Sequence, residues 1–261
     1  MRNIKLTLEY DGTGYSGWQA QGRGGRSPTI QETVEERIYK LTGARPRLSA
    51  AGRTDAGVHA LGQVAAFKTE SGLDTAVIKK ALNAMLPSDI RVIETSEAED
   101  SFHPRYSAAS KRYVYLILRG NAASLPVFLR RFVWAVPYKL NIEEMAKAAV
   151  FFKGRQDFSA MRGSGCGAKS ALREVTDFNP SLTDEVCFLS WKFKGEFIKI
   201  DVTANAFLRH MVRNMTGTLV EVGRGKMEAG ALPRIMASGD RRLAGPTAPA
   251  TGLFLQKVNY P

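Results

Sequence analysis

Ala51-Gly52-Arg53-Thr54-Asp55-Ala56-Gly57-Val58-His59-Ala60 is the stretch on which the reading of this chain turns. It sets a carboxylate, a guanidinium and an imidazole among small residues. Gly52 and Gly57 flank the carboxylate, and glycine lets a ligand approach the backbone closely. Leu48-Ser49-Ala50 precedes it, and a strand is predicted over 63–69. The stretch therefore reads as a loop at a sheet edge that presents Asp55, and such loops carry chemistry more often than packing. A lone aspartate in a turn commonly bonds its own backbone instead, so the surroundings decide.

Upstream, Ile4, Leu6, Leu8 and Tyr10 alternate with polar residues and predict a strand, turned by Asp11-Gly12-Thr13-Gly14. Residues 21–26, rich in glycine and arginine, have the composition of a mobile basic loop. Ser27 is placed to cap a helix with Pro28 at its first position. Ile30, Val34, Ile38 and Leu41 mark that helix's apolar face, and Gly43 ends it. Asp74 caps a second helix with Val77, Ala81 and Met85 in register, stopped by Pro87; a strand follows over 90–93.

The second half repeats the alternation. Strands are predicted over 111–118 and 132–136, then a helix capped by Asn141 with Glu144 in the capping-box position. Strands over 173–178, 186–194 and 197–202 come next. A helix over 208–222 ends at Gly223, and a short helix over 232–237 and a strand over 253–258 close the chain. Mixed strand and helix in both halves predict an α+β fold of two subdomains, 1–106 and 107–261.

The chain has 261 residues and a formal net charge of +12, which points to a polyanionic partner. The first 106 residues hold 14 basic against 13 acidic side chains, and the remainder 23 against 12. The second subdomain thus supplies most of the field that gathers nucleic acid. No apolar run is long enough to span a bilayer, and Arg2 and Lys5 lead into alternation rather than a signal peptide. Cys166 and Cys187 make no C-x-x-C pair and have no histidines nearby, so neither a disulfide framework nor zinc is expected, and a reducing cytoplasm is the expected compartment. His59, His103 and His210 are too scattered for a metal site. There is no dinucleotide loop and no Walker motif, so no cofactor is expected.

Asp55 sits within Gly52-Arg53-Thr54-Asp55-Ala56-Gly57-Val58-His59, which resembles the G-R-T-D-A-G-V-H signature of the bacterial tRNA pseudouridine synthase A family. The resemblance runs along the chain. Glu9-Tyr10-Asp11-Gly12 with Tyr15-Ser16-Gly17-Trp18-Gln19 is similar to the family's opening, and Gln31-Glu32 begins the first helix as in the family. Asn83 to Ile90 resembles N-x-x-L-P-x-D-I, Phe102 to Ala108 resembles F-H-x-R-[FY]-S-A, and Lys111 to Tyr115 the [KR]-x-Y-x-Y strand. Ala204 to Asn214 resembles A-N-A-F-x-x-H-M-V-R-N, and Gly252-Leu253 the terminal G-L.

This resemblance implies two subdomains related by a pseudo-twofold, their sheets joined into one platform with a basic RNA-binding cleft. It implies isomerisation of uridine to pseudouridine at positions thirty-eight to forty of the tRNA anticodon stem-loop, by a homodimer, without cofactor or metal. The C1′–N1 bond breaks and the base reattaches through C5, so no atom or electron is gained. Asp55 matches the catalytic aspartate, which the family is written with as nucleophile. A carboxylate there can attack C1′, attack C6, or take a ribose C2′ proton. Arg213 matches the arginine that pairs with it; such pairs fix orientation as well as charge. Arg209, one helical turn earlier, is expected near the same face, and Lys111 and Arg112 suit phosphate. Arg53 matches an arginine credited with filling the space left by a flipped base or holding its phosphate. Tyr113 matches a tyrosine beside the target uracil, whereas Tyr115 is expected to pack. A tRNA-binding protein without chemistry, or a synthase of another RNA, would keep the basic surface. For the second, 21–26 and 161–170 are the segments in which the choice of RNA could shift.

Overall fold

Ile4, Leu6 and Leu8 are fully buried along β1 (Arg2–Tyr10), where the period-two pattern places them. The computed structural model describes residues 1–20, 27–121, 123, 125–188 and 191–261. The basic loop expected at 21–26 lies outside the described residues. The chain divides into two units, one of Met1–Lys111 with Phe254–Pro261 and one of Arg112–Leu253.

In the first unit β1 pairs antiparallel with β3 (His59–Thr69) on one side and β4 (Ile90–Ala98) on the other. The short β2 (Ser49–Ala50) pairs with β3 through Ser49 opposite Ala66. The last strand, β10 (Leu253–Asn259), runs parallel to β3, with Phe254 opposite His59 and Leu255 opposite Ala60. The end of the chain therefore belongs with the first unit and not with 107–261 as its position suggests. A parallel pair needs a long crossover, and local patterning does not reveal it.

Two helices complete this unit. α1 (Ile30–Thr42) buries Ile30, Val34 and Ile38 and ends at Gly43 as expected. Its cap is Thr29 rather than Ser27. The Thr29 hydroxyl accepts from Glu32 N–H at 3.2 Å and donates to the Glu32 carboxylate at 2.7 Å. α2 (Thr75–Met85) is capped by Asp74, which accepts from Ala76 N–H at 2.8 Å. Its buried face is Ile78 and Leu82, rotated from the expected one, and Val77 stands 49% exposed.

The second unit orders its strands β5 (Ser110–Arg119), β9 (Trp191–Ala204), β8 (Leu172–Phe188) and β7 (Gly154–Asp157), with β6 (Trp134–Val136) parallel to β5. The first two residues of β5 count with the first unit. β8 and β9 pair antiparallel from Val175 opposite Ala204 to Phe188 opposite Trp191. The stretch 186–194, read as one strand, holds the end of β8 and the start of β9. α3 (Ile142–Val150) is capped by Asn141, whose side chain accepts from Glu143 and Glu144 N–H. Met145, Phe152, Phe178, Ile200, Met215 and Leu219 are fully buried, and the Phe152 and Phe178 rings meet edge-on at 5.4 Å. α4 (Met211–Gly223) and the short α5 (Leu232–Ser238) follow. No helix among the described residues is long and apolar enough to cross a membrane.

Candidate active site

The loop that carries Asp55 is fastened along its length. Ala51 N–H donates to Val64 O at 2.8 Å, Trp18 N–H to Thr54 O at 3.0 Å, and Val58 N–H to Asp55 O at 3.1 Å. Burial alternates through it: Arg53 is exposed, Thr54 buried, Asp55 partly buried. The loop thus turns Thr54 inward and leaves its neighbours to face outward. Beneath it lies the turn after β1. Gly17 has φ of +89°, and a Cβ there would lie 2.6 Å from Thr54 O and 3.0 Å from Ala56 N. A Cβ on Gly12 would lie 2.1 Å from Val58 O. Both positions demand glycine because backbone meets backbone.

His59, 1% exposed, closes the signature against the same turn. Its Nδ1 lies 3.1 Å from Gly12 N–H and 3.2 Å from Asp11 Oδ1. One nitrogen serves one of these at a time: it accepts from Gly12 when unprotonated and donates to Asp11 when it carries a hydrogen. The Asp11 carboxyl is held well below the usual carboxylate range. Burial pushes it up, but the hydrogen bonds from His59 and from Thr13 outweigh burial. The His59 ring stacks on Phe254 at 4.8 Å. This histidine, which the sequence left without a role, is a structural fastening.

Lys111 was expected at phosphate, yet it is 6% exposed. Its Cε would lie 3.5 Å from a Cβ on Gly52, so its stem packs against the signature loop. A lysine at a strand start reads as surface, and no local pattern marks its burial. Arg112 likewise is engaged, donating to Asp201 at 2.7 Å, and Lys199 pairs with the same carboxylate at 2.9 Å.

The other two expected site residues belong to the second unit. Tyr113 is 6% exposed and meets Phe207 edge-on at 5.0 Å. Tyr115 is fully buried and donates to Pro249 O at 2.6 Å, a packing role as expected. Arg213 lies in the first turn of α4. Its Nε donates to Ala248 O at 2.7 Å while its own carbonyl accepts from Ala248 N–H at 3.1 Å. This two-point attachment fixes the base of the guanidinium. Arg209 does not share the helix. α4 begins at Met211, and His210 before it has φ of 59°. Arg209 instead donates to Ser164 O at 3.0 Å, and its carbonyl accepts from Gly163 N–H at 2.8 Å.

Asn214, next to Arg213, is a residue that sequence reasoning passed over. It is fully buried. Its amide donates to Met161 O at 2.9 Å and accepts from Thr247 Oγ1 at 2.6 Å and Arg241 Nη2 at 3.0 Å. It thereby ties α4 to two loops beside Arg213. An asparagine inside an apolar helix, without a cap to form, was the signal.

Among the described residues no group of three His, Cys, Asp or Glu side chains is placed to hold a metal. The family model for tRNA pseudouridine synthase matches residues 7–107 and 148–261. This chain belongs to the tRNA pseudouridine synthase family. Asp55, Arg53 and Arg213 fall within the matched segments of the family model, and Tyr113 falls between them. The chain is 44% identical over 260 residues to a tRNA pseudouridine synthase A of Thermodesulfovibrio yellowstonii. It is 45% identical over 260 residues to those of Acetivibrio thermocellus and of Caldicellulosiruptor bescii. All three alignments cover the whole of both chains.

Proposed function

We propose that this chain isomerises uridine to pseudouridine at positions thirty-eight to forty of the tRNA anticodon stem-loop, with Asp55 as nucleophile. The observation that carries this reading is the Asp55 loop. A glycine-flanked carboxylate, partly buried, stands on a segment fastened from below and bordered by the exposed Arg53. The full-length likeness to relatives named tRNA pseudouridine synthase A supports the substrate class.

Each residue has a role in this proposal. Asp55 forms the covalent link to the ribose or the ring while the C1′–N1 bond is broken. The base turns, C5 joins C1′ as the carboxylate is released, C5 loses its proton, and N1, which held C1′ and no proton before, gains one. Arg53 holds the space or the phosphate of the extruded nucleotide. Tyr113 packs against the uracil, and Arg213 orients the Asp55 carboxylate. The family likeness supports a cytoplasmic homodimer in which one tRNA spans both subunits.

Unmodified tRNA transcripts incubated with the protein alone and mapped for pseudouridine test this reading. Pseudouridine confined to the 3′ side of the anticodon stem-loop is the expected result. Binding with no pseudouridine in transcripts that hold uridine there overturns it.

A further inference from the structure

We infer that Tyr10, Thr54 and Gln63 form a buried polar lock that positions the Asp55 loop for reaction without touching RNA. This rests on the assignment of Asp55 as the reacting carboxylate. Tyr10 is the last residue of β1, and Gln63 lies on the adjoining β3. Their exposures are 4% and 0%, and that of Thr54 is 6%. The Tyr10 hydroxyl lies 2.9 Å from Thr54 Oγ1. Gln63 Nε2 donates to Gly52 O at 2.8 Å and approaches the Tyr10 oxygen at 3.4 Å.

Gln63 Nε2 has only hydrogens to offer, so the Tyr10 oxygen accepts from it, while between Tyr10 and Thr54 either hydroxyl can donate to the other. The carbonyl of Thr54 is held as well, by Trp18 N–H at 3.0 Å, and the Tyr10 and Trp18 rings lie 6.2 Å apart. The loop is therefore gripped at Gly52 by its carbonyl and at Thr54 by both side chain and carbonyl. The gripped residues flank Arg53, and Thr54 immediately precedes Asp55. Two adjacent strands of a rigid sheet thus set where the carboxylate stands. A displacement near 1 Å can lower a rate by about a hundredfold while leaving binding intact. A buried hydroxyl deprived of its partner supplies such a displacement, because the group must turn elsewhere or stay unsatisfied.

Thr54→Val is nearly isosteric and removes only the hydroxyl. Its single-turnover rate on tRNA at saturating enzyme is expected to fall about tenfold or more, with tRNA affinity within about twofold. Thr54→Ser, which restores the hydroxyl, is expected to recover most of that rate. Tyr10→Phe removes the same bond from its other end, and serves if Thr54→Val does not fold. The Tyr10→Phe and Thr54→Val double variant is expected to be no slower than the slower single variant, since one bond is lost once. Asp55→Asn runs in parallel. If it is inactive while Thr54→Val and Tyr10→Phe both react at the wild-type rate, the lock is refuted and the Asp55 assignment stands. If Asp55→Asn reacts normally, the assignment itself fails, and the lock with it. A Thr54→Ser variant as slow as Thr54→Val also refutes the lock.

Discussion

Gly17→Ala measures how tightly the Asp55 loop is seated on the turn beneath it. The substitution adds one carbon in two unfavourable ways. The residue has φ of +89°, where an L side chain costs about 1–2 kcal/mol. The new Cβ meets Thr54 O at 2.6 Å, with Ala56 N and Asp55 C both at 3.0 Å. These are backbone atoms of the reacting segment, so no flexible side chain can swing aside. Relieving such contacts by shifting backbone costs about 1–3 kcal/mol. The total is roughly 2–5 kcal/mol, and at about 2–4 °C per kcal/mol the melting temperature falls by roughly 4–20 °C. Because the loop relieves the clash by moving outward, turnover falls even in the fraction that stays folded. Gly14→Ala is the control, for Gly14 has ordinary φ and nothing within 4 Å of a Cβ. Thermal melts and single-turnover assays on the two variants decide. Equal melting temperatures and equal rates would refute the claim that Gly17 fits this loop by lacking a side chain.

Two further outcomes are expected. Burial pushes the Tyr10 hydroxyl up to about 12, whereas an unfolded tyrosine ionises near pH 10. The stability this group contributes is complete below about pH 10 and is lost as pH rises towards 12. Between pH 9 and pH 11 Tyr10→Phe should therefore lose about 1.4 kcal/mol less than wild type in urea unfolding, and parallel declines would contradict this. Affinity for tRNA should fall with salt in a log–log line; if about six phosphates are neutralised, its slope is about −5. An affinity unmoved by salt would remove the electrostatic account of the +12 charge.

Much of this was legible in the chain because it is local. Alternation gave β1, and Asn141 and Asp74 announced their helices. The stretch around Asp55, read as a loop at a sheet edge, lies between β2 and β3. An error of two residues came where two caps competed at α1. Thr29 displaced Ser27 because it forms a reciprocal pair with Glu32, a partner three residues on that Ser27 lacks. The face of α2 was misread because Val77 and Ile78 are both apolar, and only packing selects Ile78. The long-range features were not legible. Nothing near Phe254 indicates that it pairs beside His59, and nothing near Lys111 indicates that its stem meets Gly52. The helix around Arg213 was expected to start at Leu208, but His210 in the left-handed region delays it to Met211 and sends Arg209 to Ser164.

Asp55→Asn, assayed for pseudouridine in a single turnover on unmodified tRNA alongside a binding measurement, tests the central claim most directly. The amide keeps the shape of the side chain and loses the nucleophile. The predicted result is no pseudouridine, with tRNA affinity within a few fold of wild type. Pseudouridine formed by Asp55→Asn at the wild-type rate would contradict it.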